Sequence, residues 1–114
     1  MSAIQTRIMY IQRGTGPGRI GRVRRSKTGR TLFYRDLELI AIGGASRANH
    51  LDVATGEAYW VSGPRKDGQD TLYPGLVEID DDVVVAYWRD VRGQPDVRDR
   101  SFRSTGVHGR RATR

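Results

Sequence analysis

The fold is decided by residues 18–34, Gly18-Arg-Ile-Gly-Arg-Val-Arg-Arg-Ser-Lys-Thr-Gly-Arg-Thr-Leu-Phe-Tyr34. The stretch is typical of two β-strands joined by a tight turn at residues 27–30, because its central glycine accepts positive φ angles. It also carries five arginines and one lysine between Arg19 and Arg30. The sequence therefore predicts a basic β-hairpin, to which the rest of the chain adds further strands and one closing helix.

The two hairpin strands carry different patterns. In the first strand, Ile20 and Val23 fall on opposite faces, and a β-bulge near Gly21 would bring them together. The second strand is predicted to span residues 31–42, because polar and apolar residues alternate there. Its apolar face would carry Phe33, Leu37, Leu39 and Ala41, and its polar face Tyr34, Asp36 and Glu38.

Other segments are typical of strands and turns. Residues 8–12 form a short β-prone run before a glycine-rich loop at 14–18. A second hairpin is predicted from strands 49–53 and 58–62 around Thr55-Gly56, where a two-residue turn or a three-residue loop with a bulge would fit. A third turn at 63–68 precedes a short run at 71–73.

The period of the pattern changes near the C-terminus. One helical face would carry Val84, Tyr87, Trp88 and Val91, which are spaced i, i+3, i+4 and i+7. Asp80 is a candidate N-cap, and Gly93 is a stop signal just beyond the last turn. These signals predict a helix over residues 81–92.

The elements together predict a mainly β fold, a small antiparallel barrel-like or strongly twisted sheet of about five to six strands with one C-terminal helix. Residues 1–94 are expected to form a single domain. Residues 95–114 have almost no apolar content, so they are predicted to be a disordered basic tail.

The net charge of +7 is unevenly distributed. Residues 1–50 carry +8, residues 51–96 carry −6 and residues 97–114 carry +5. Such a chain can bind an anionic partner, or it can pair its basic half with its own acidic half.

Composition excludes several classes of protein. The chain has no cysteine, so neither a disulfide framework nor a thiolate metal site can form. No apolar run approaches the length of a membrane span, and the N-terminus lacks the apolar core of a secretory signal. We therefore expect a cytoplasmic protein with no membrane contact.

Short matches to catalytic motifs lack their structural context. Residues 16–21 have the glycine spacing of a dinucleotide loop, and residues 21–28 come close to a phosphate-binding loop, but a strand follows where each motif needs a helix. His50 and Asp52 share a strand face, yet only His108 could add a second imidazole for a metal. The sequence predicts no catalytic residue, no metal and no cofactor.

Aromatic residues near the arginines suggest a binding surface. Tyr59 and Trp60 are adjacent on a strand, so they face opposite sides, and one of them must lie at the surface or under the helix. An exposed Trp60 beside arginines would be a platform for base stacking. The candidate nucleic-acid-binding residues are Arg19, Arg22, Arg24, Arg25, Lys27, Arg30, Arg35 and Trp60.

Two stretches of the chain resemble a family of small bacterial proteins with no established activity. They are the hairpin and the run Asp52-Val-Ala-Thr-Gly-Glu-Ala-Tyr-Trp-Val-Ser-Gly-Pro-Arg-Lys-Asp-Gly-Gln-Asp70. The similarity extends over residues 8–92. Some members carry the name of 1-deoxy-D-xylulose-5-phosphate synthase, a multidomain thiamine-diphosphate enzyme far longer than this chain. No matching diphosphate- or metal-binding motif occurs here, so we interpret that name as a mislabelling. The resemblance implies no functional residue.

Three functions are compatible with these observations. The arginine hairpin, the nearby aromatics and the basic tail favour a nucleic-acid-binding module, with RNA preferred over DNA. A protein-interaction module would use the basic face, or an open sheet edge, to meet an acidic partner. A small-ligand protein or an enzyme is the third alternative. The oligomeric state is not predicted.

Overall fold

The computed structural model describes residues 5–14, 16–43, 48–71 and 74–105. Its strands are β1 (Gln5–Arg13), β2 (Gly18–Arg25), β3 (Thr31–Tyr34), β4 (Leu37–Ala41), β5 (His50–Asp52), β6 (Ala58–Ser62), β7 (Gly75–Ile79) and β8 (Ser101–Ser104). The C-terminal helix lies between β7 and β8. It comprises a 3₁₀ turn (Asp81–Val83), one α-helical turn (Val84–Ala86) and a π-helical stretch (Tyr87–Val91). The prediction of a mainly β fold with one C-terminal helix is confirmed.

Six of these strands close into an antiparallel barrel. Neighbouring strands follow the order β1-β6-β5-β4-β3-β2, and β2 pairs with β1 to complete the ring. Two further strands extend the sheet outside the ring: β7 runs parallel to the first half of β2, and β8 pairs antiparallel with β7. The edge of β2 that does not face β1 therefore pairs with two strands, with β7 at one end and with β3 at the other.

Two hydrophobic clusters lie on opposite faces of β1 and β2. The barrel cluster contains Ile11, Val23, Leu32, Tyr34, Leu39, Tyr59 and Val61. The outer cluster lies under the helix and contains Tyr10, Ile20, Val77, Ile79, Val83, Val84, Tyr87 and Trp88. Because β1 and β2 pair one to one without an extra residue, the bulge predicted near Gly21 is wrong. Ile20 and Val23 face opposite sides because each side has its own cluster.

The second strand of the basic hairpin is shorter than predicted. Segment 31–42 forms two strands, and Tyr34 pairs with Leu37 across the two-residue turn 35–36. Arg35 in that turn has a φ angle of 54°, a left-handed conformation that few residues with side chains adopt. The predicted faces are therefore wrong. The residues buried in the barrel are Leu32, Tyr34 and Leu39, whereas Phe33 lies on the outer face.

The two Thr-Gly turns both place their glycine in the left-handed region. Gly29 and Gly56 hold φ angles of 77° and 75°, which confirms the predicted left-handed glycines. The second loop is closed by the Asp52 N–H, which donates to the Glu57 carbonyl at 2.9 Å. Four residues lie between these two, so the two-residue and three-residue alternatives are both wrong.

The C-terminal helix packs through the predicted face. Val84, Tyr87 and Trp88 are buried and Val91 is half-buried, all against the outer cluster. Gly93, with a φ angle of 66°, ends the helix as predicted. Asp80 occupies the N-cap position, but its carboxylate makes no cap hydrogen bond, so the predicted cap is wrong.

Residues 95–105 form a turn and a strand, and the prediction of disorder is wrong for them. Phe102 in β8 stacks on Tyr87 with 5.6 Å between ring centroids. The Arg92 guanidinium lies 4.9 Å from the Phe102 ring, and the Trp88 indole N–H donates to the Asp99 carbonyl at 2.7 Å. These contacts dock the segment although its sequence is polar. Residues 106–114 of the predicted tail, and Leu72-Tyr73 of the predicted run 71–73, lie outside the described residues.

A buried carboxylate marks the loop before β7. Asp70 is 7% exposed, and its Oδ1 atom accepts the Arg65 backbone N–H at 2.7 Å. Its Oδ2 atom has no hydrogen-bond partner among the described residues. Burial, the main cause, raises the pKa of Asp70 from 3.8 to about 6, and the Asp67 charge adds to the increase. Folding is therefore more favourable when Asp70 is protonated than when it is ionised.

Replacing Trp88 with Ala should lower the free energy of unfolding by roughly 3–5 kcal/mol, as for a buried large aromatic. Val85→Ala is the matched control, because Val85 lies on the same helix and is 47% exposed. That control should change stability by less than about 1 kcal/mol. Urea unfolding monitored by circular dichroism measures both variants, and equal losses would contradict the packing described here.

Asp70 should make folding less favourable as pH rises. Because the pKa of Asp70 is higher in the folded than in the unfolded state, its contribution to the free energy of unfolding is greatest below about pH 4. That contribution is lost between about pH 4 and 6. Asp70→Asn should therefore become more stable relative to the wild type by about 1–3 kcal/mol on going from pH 4 to pH 7. The other carboxylates titrate alike in the two proteins, so their effect on stability cancels in this difference. Unfolding at both pH values checks it, with exposed Asp96→Asn as the control; a constant difference for Asp70→Asn would refute the assignment.

Candidate functional site

The cations of the basic hairpin divide between two faces of β2. Arg19 and Arg25 share the barrel-facing side with Gly21 and Val23, whereas Arg22 and Arg24 point to the outer side. The eight predicted binding residues therefore do not form one surface.

Three of the predicted arginines are paired with acids of the same chain. Arg19 Nη2 lies 3.2 Å from Glu78, and Arg35 Nη2 lies 2.7 Å from Asp80. Arg22 makes a longer contact of 3.9 Å with Asp82. Charge pairing between the basic and acidic halves is thus part of the fold itself.

Arg24 is held in a different way, over the ring of Phe33. The two residues are directly opposite each other in the β2–β3 ladder, and the guanidinium lies 5.1 Å from the ring centroid. Phe33 is half-buried on the outer face. Its position was missed because the predicted long strand assigned it to the apolar face. The cross-strand pairing of Arg24 with Phe33, read from the hairpin register, is the signal that would have found it.

The remaining hairpin cations lie at the tip. Lys27 and Arg30 are exposed and Arg25 is half-buried, with its guanidinium close to Gly29 in the turn. Within the part of the chain that the structure describes, none of the three forms an ion pair with a carboxylate. Although Arg24 and Arg25 leave opposite faces of β2, both lie at its turn end, and we call Arg24, Arg25, Lys27, Arg30 and Phe33 the hairpin-tip surface.

Trp60 lies away from that surface. Trp60 in β6 is opposite Gln12 in β1. Gln12 is in turn opposite Gly18, which lies at the far end of β2 from Arg24. Six residues along a strand span about 20 Å. The Trp60 ring packs against the outer cluster, and its indole N–H donates to Ser62 at 3.2 Å. Tyr59 faces the barrel and is buried, so Trp60 is the more exposed residue of this pair.

The best-defined polar site surrounds Asp80, whose side chain is 7% exposed. Its carboxylate accepts the Tyr34 hydroxyl at 2.5 Å and the Arg35 guanidinium at 2.7 Å, with Arg19 at 3.4 Å. Burial is the main cause that raises the pKa of Tyr34, followed by the hydrogen bond to Asp80. Tyr34 therefore stays protonated and remains a donor.

Gly21 is required by the same site. A Cβ atom there would lie 2.4 Å from a ring carbon of Tyr34 and 2.6 Å from Oδ2 of Asp80. Neither group can retreat without breaking their hydrogen bond, so only glycine permits this close approach.

An open groove of about 580 Å³ connects the Asp80 site with the outer face of the hairpin. Its lining includes Arg22, Arg24 and Phe33 together with Asp81 and Asp82. The groove thus combines cationic and aromatic side chains with acidic ones. It suits recognition of a charged chain better than an enclosed reaction.

The pair His50 and Asp52 is engaged in local contacts. His50 Nδ1 lies 2.8 Å from Asn49, burial lowers its pKa, and Asp52 accepts hydrogen bonds from the turn that follows it. Among the residues that the structure describes, no group of three or more His, Asp or Glu side chains could hold a metal ion. In the same residues, no helix has the length and apolar character needed to cross a membrane.

Comparisons with protein-family models, curated proteins and solved structures found no match. The similarity to a small bacterial family stays a prediction.

The Asp80 site should contribute strongly to stability. Asp80→Asn should cost about 2 kcal/mol, below the value for a fully buried pair because Arg35 is 57% exposed and can be hydrated. Tyr34→Phe should cost about 1–2 kcal/mol, and the two losses should not add in the double variant. Asp81→Asn is the matched control, since its side chain is 76% exposed. Chemical unfolding measures all four variants, and additive losses would contradict the shared hydrogen bond.

Proposed function

We propose that this protein is a non-catalytic nucleic-acid-binding module and that single-stranded RNA is its preferred ligand. The observation that carries the proposal is the hairpin-tip surface. Arg24 lies over Phe33 there, and Arg25, Lys27 and Arg30 have no carboxylate partner among the described residues.

The charges at the tip suit phosphate. Arg19, Arg22 and Arg35 already have acidic partners, so a phosphate would have to displace a carboxylate to reach them. The tip cations need no such exchange, and each phosphate that they neutralise releases counterions. Asp81 and Asp82, which are exposed and line the same groove as Arg24, repel phosphates and so favour their approach at the tip.

Phe33 and Arg24 suit an unpaired base. An aromatic ring and a guanidinium plane are both surfaces on which bases stack, and the bases of a single strand are free to do so. A duplex keeps its bases stacked inside, where a half-buried ring on a sheet does not reach them. This favours a single strand, whose bases can approach the half-buried Phe33 on the outer face.

Neutralising the tip should remove most of the electrostatic binding. The triple variant Arg24→Gln, Lys27→Gln, Arg30→Gln should bind a labelled oligouridine more weakly at low salt. The slope of log Kd against log salt should fall by about 2, since each phosphate contact on a single strand contributes about 0.7. Fluorescence anisotropy over a salt series measures both quantities, and an oligothymidine of the same length compares DNA.

A charge-matched control separates the tip from the net charge. Arg65→Gln, Lys66→Gln, Arg89→Gln removes the same charge from exposed positions on other elements and should leave the slope nearly unchanged. Phe33→Leu should weaken binding by about 1–3 kcal/mol at all salt concentrations, as expected for lost stacking. Trp60→Phe should have little effect. Removing residues 106–114 should lower the affinity without abolishing it.

Failure of the wild-type protein to bind either oligonucleotide at low salt would refute the proposal. Binding of polyglutamate under the same conditions would then identify the basic surface as a docking site for an acidic protein.

A further inference from the structure

The mouth of the barrel forms a second site, separate from the hairpin-tip surface. It contains an open cavity of about 320 Å³, within the range of about 300–1,000 Å³ that is usual for small-molecule sites. The apolar part of its wall includes Ile11, Tyr34, Leu37 and Tyr59. Its polar part consists of Arg13, Arg19, Arg35 and Glu78.

Strand register brings two of these arginines together. Arg19 is opposite Ile11 in the β1–β2 ladder, and Arg13 lies two residues further along β1 on the same face. Such diagonal neighbours are about 7–8 Å apart at the backbone. Both long side chains therefore extend from the barrel wall over the apolar floor.

Arg13 and the Nη2 group of Arg19 are available to a ligand, whereas Arg35 is not. Arg35 is fixed by its 2.7 Å contact with the buried Asp80. Arg19 Nη1 lies 3.4 Å from the same buried carboxylate, which leaves its Nη2 group for a ligand. Arg13 and Arg19 Nη2 contact Glu57 at 3.7 Å and Glu78 at 3.2 Å, and both of these carboxylates are about half exposed. Exposed ion pairs of this kind contribute little stability, so an incoming anion can replace them.

We propose that the barrel mouth binds a small organic anion with an apolar ring. The ring would rest against Leu37 and the two tyrosines, and the acid group would lie between Arg13 and Arg19. Charge complementarity selects the anion, and the apolar floor selects the ring over inorganic phosphate. Glu78 lines the same cavity and competes with the ligand for Arg19.

Tyr59 contributes a neutral donor at the rim. Burial raises the pKa of its hydroxyl, although the adjacent Arg13 opposes that increase. The hydroxyl therefore remains protonated near neutral pH and can donate to an acid group held by Arg13.

Benzoate tests this proposal with benzamide and inorganic phosphate as comparisons. Methyl NMR spectra of the full chain report binding through Ile11 and Leu37, whose methyl groups belong to the cavity wall. Benzoate should shift both signals with a Kd in the millimolar range expected for a small fragment. Benzamide and phosphate should each bind more weakly, because one lacks the charge and the other lacks the ring.

Two variants move the affinity in opposite directions. Arg13→Gln should weaken benzoate binding about five- to tenfold, the effect of losing one charge-assisted hydrogen bond. Glu78→Gln should tighten it about two- to fivefold, since it removes the competing carboxylate. A misfolded variant would not gain affinity. Arg7→Gln, an exposed position on β1 outside the cavity, should change nothing.

The proposal is wrong if benzoate leaves both methyl signals unshifted, or if benzamide binds as tightly. Equal affinity of the wild type and Glu78→Gln would also overturn the placement of the acid group. These outcomes are independent of RNA binding, because no residue of the hairpin-tip surface lines the cavity.

Discussion

The structure depends on one buried negative charge at the place where β2 changes neighbours. β7 pairs with β2 as far as Ile20, β3 pairs with it from Arg24 onward, and Asp80 lies where the two strands separate. An isolated carboxylate would be too costly to bury there. Tyr34, at the end of β3, donates to it, and arginines supply the balancing charge. The hydrogen bond thus joins the barrel to the β7–helix–β8 segment where the backbone ladder is missing.

This constraint explains why a chain with such separated charges folds as one body. Arginines that looked like a uniform binding face serve two purposes, since those nearest the acidic segment neutralise it and those at the hairpin tip remain unpaired with carboxylates in the described residues. The same division separates the two proposed sites. One uses the tip of the hairpin and the other uses the opposite, open end of β2 at the barrel mouth, so the two can be occupied together.

Sequence patterns predicted the elements that depend on local chemistry. Alternation identified the hairpins, left-handed glycines identified the turns, and helical spacing identified the C-terminal helix. Several of the failures involve partners distant in sequence. Nothing local shows that Ile20 and Val23 face separate clusters, or that Asp80 serves Tyr34 rather than the helix end. The turn at Arg35 lacks glycine, and β8 has a single aromatic, Phe102, in a polar segment. β7 was missed because its pairing with β2 is parallel and brief.

The two clusters on either side of β1 and β2 also affect how the protein unfolds. A strand with only one buried face can detach and leave the opposite layer intact. Here the wall formed by β1 and β2 belongs to both clusters, with Tyr10 and Ile11 buried on opposite sides of adjacent positions. Loss of that wall would expose both interiors together. Unfolding of the barrel is therefore coupled to loss of the outer cluster through the shared strands.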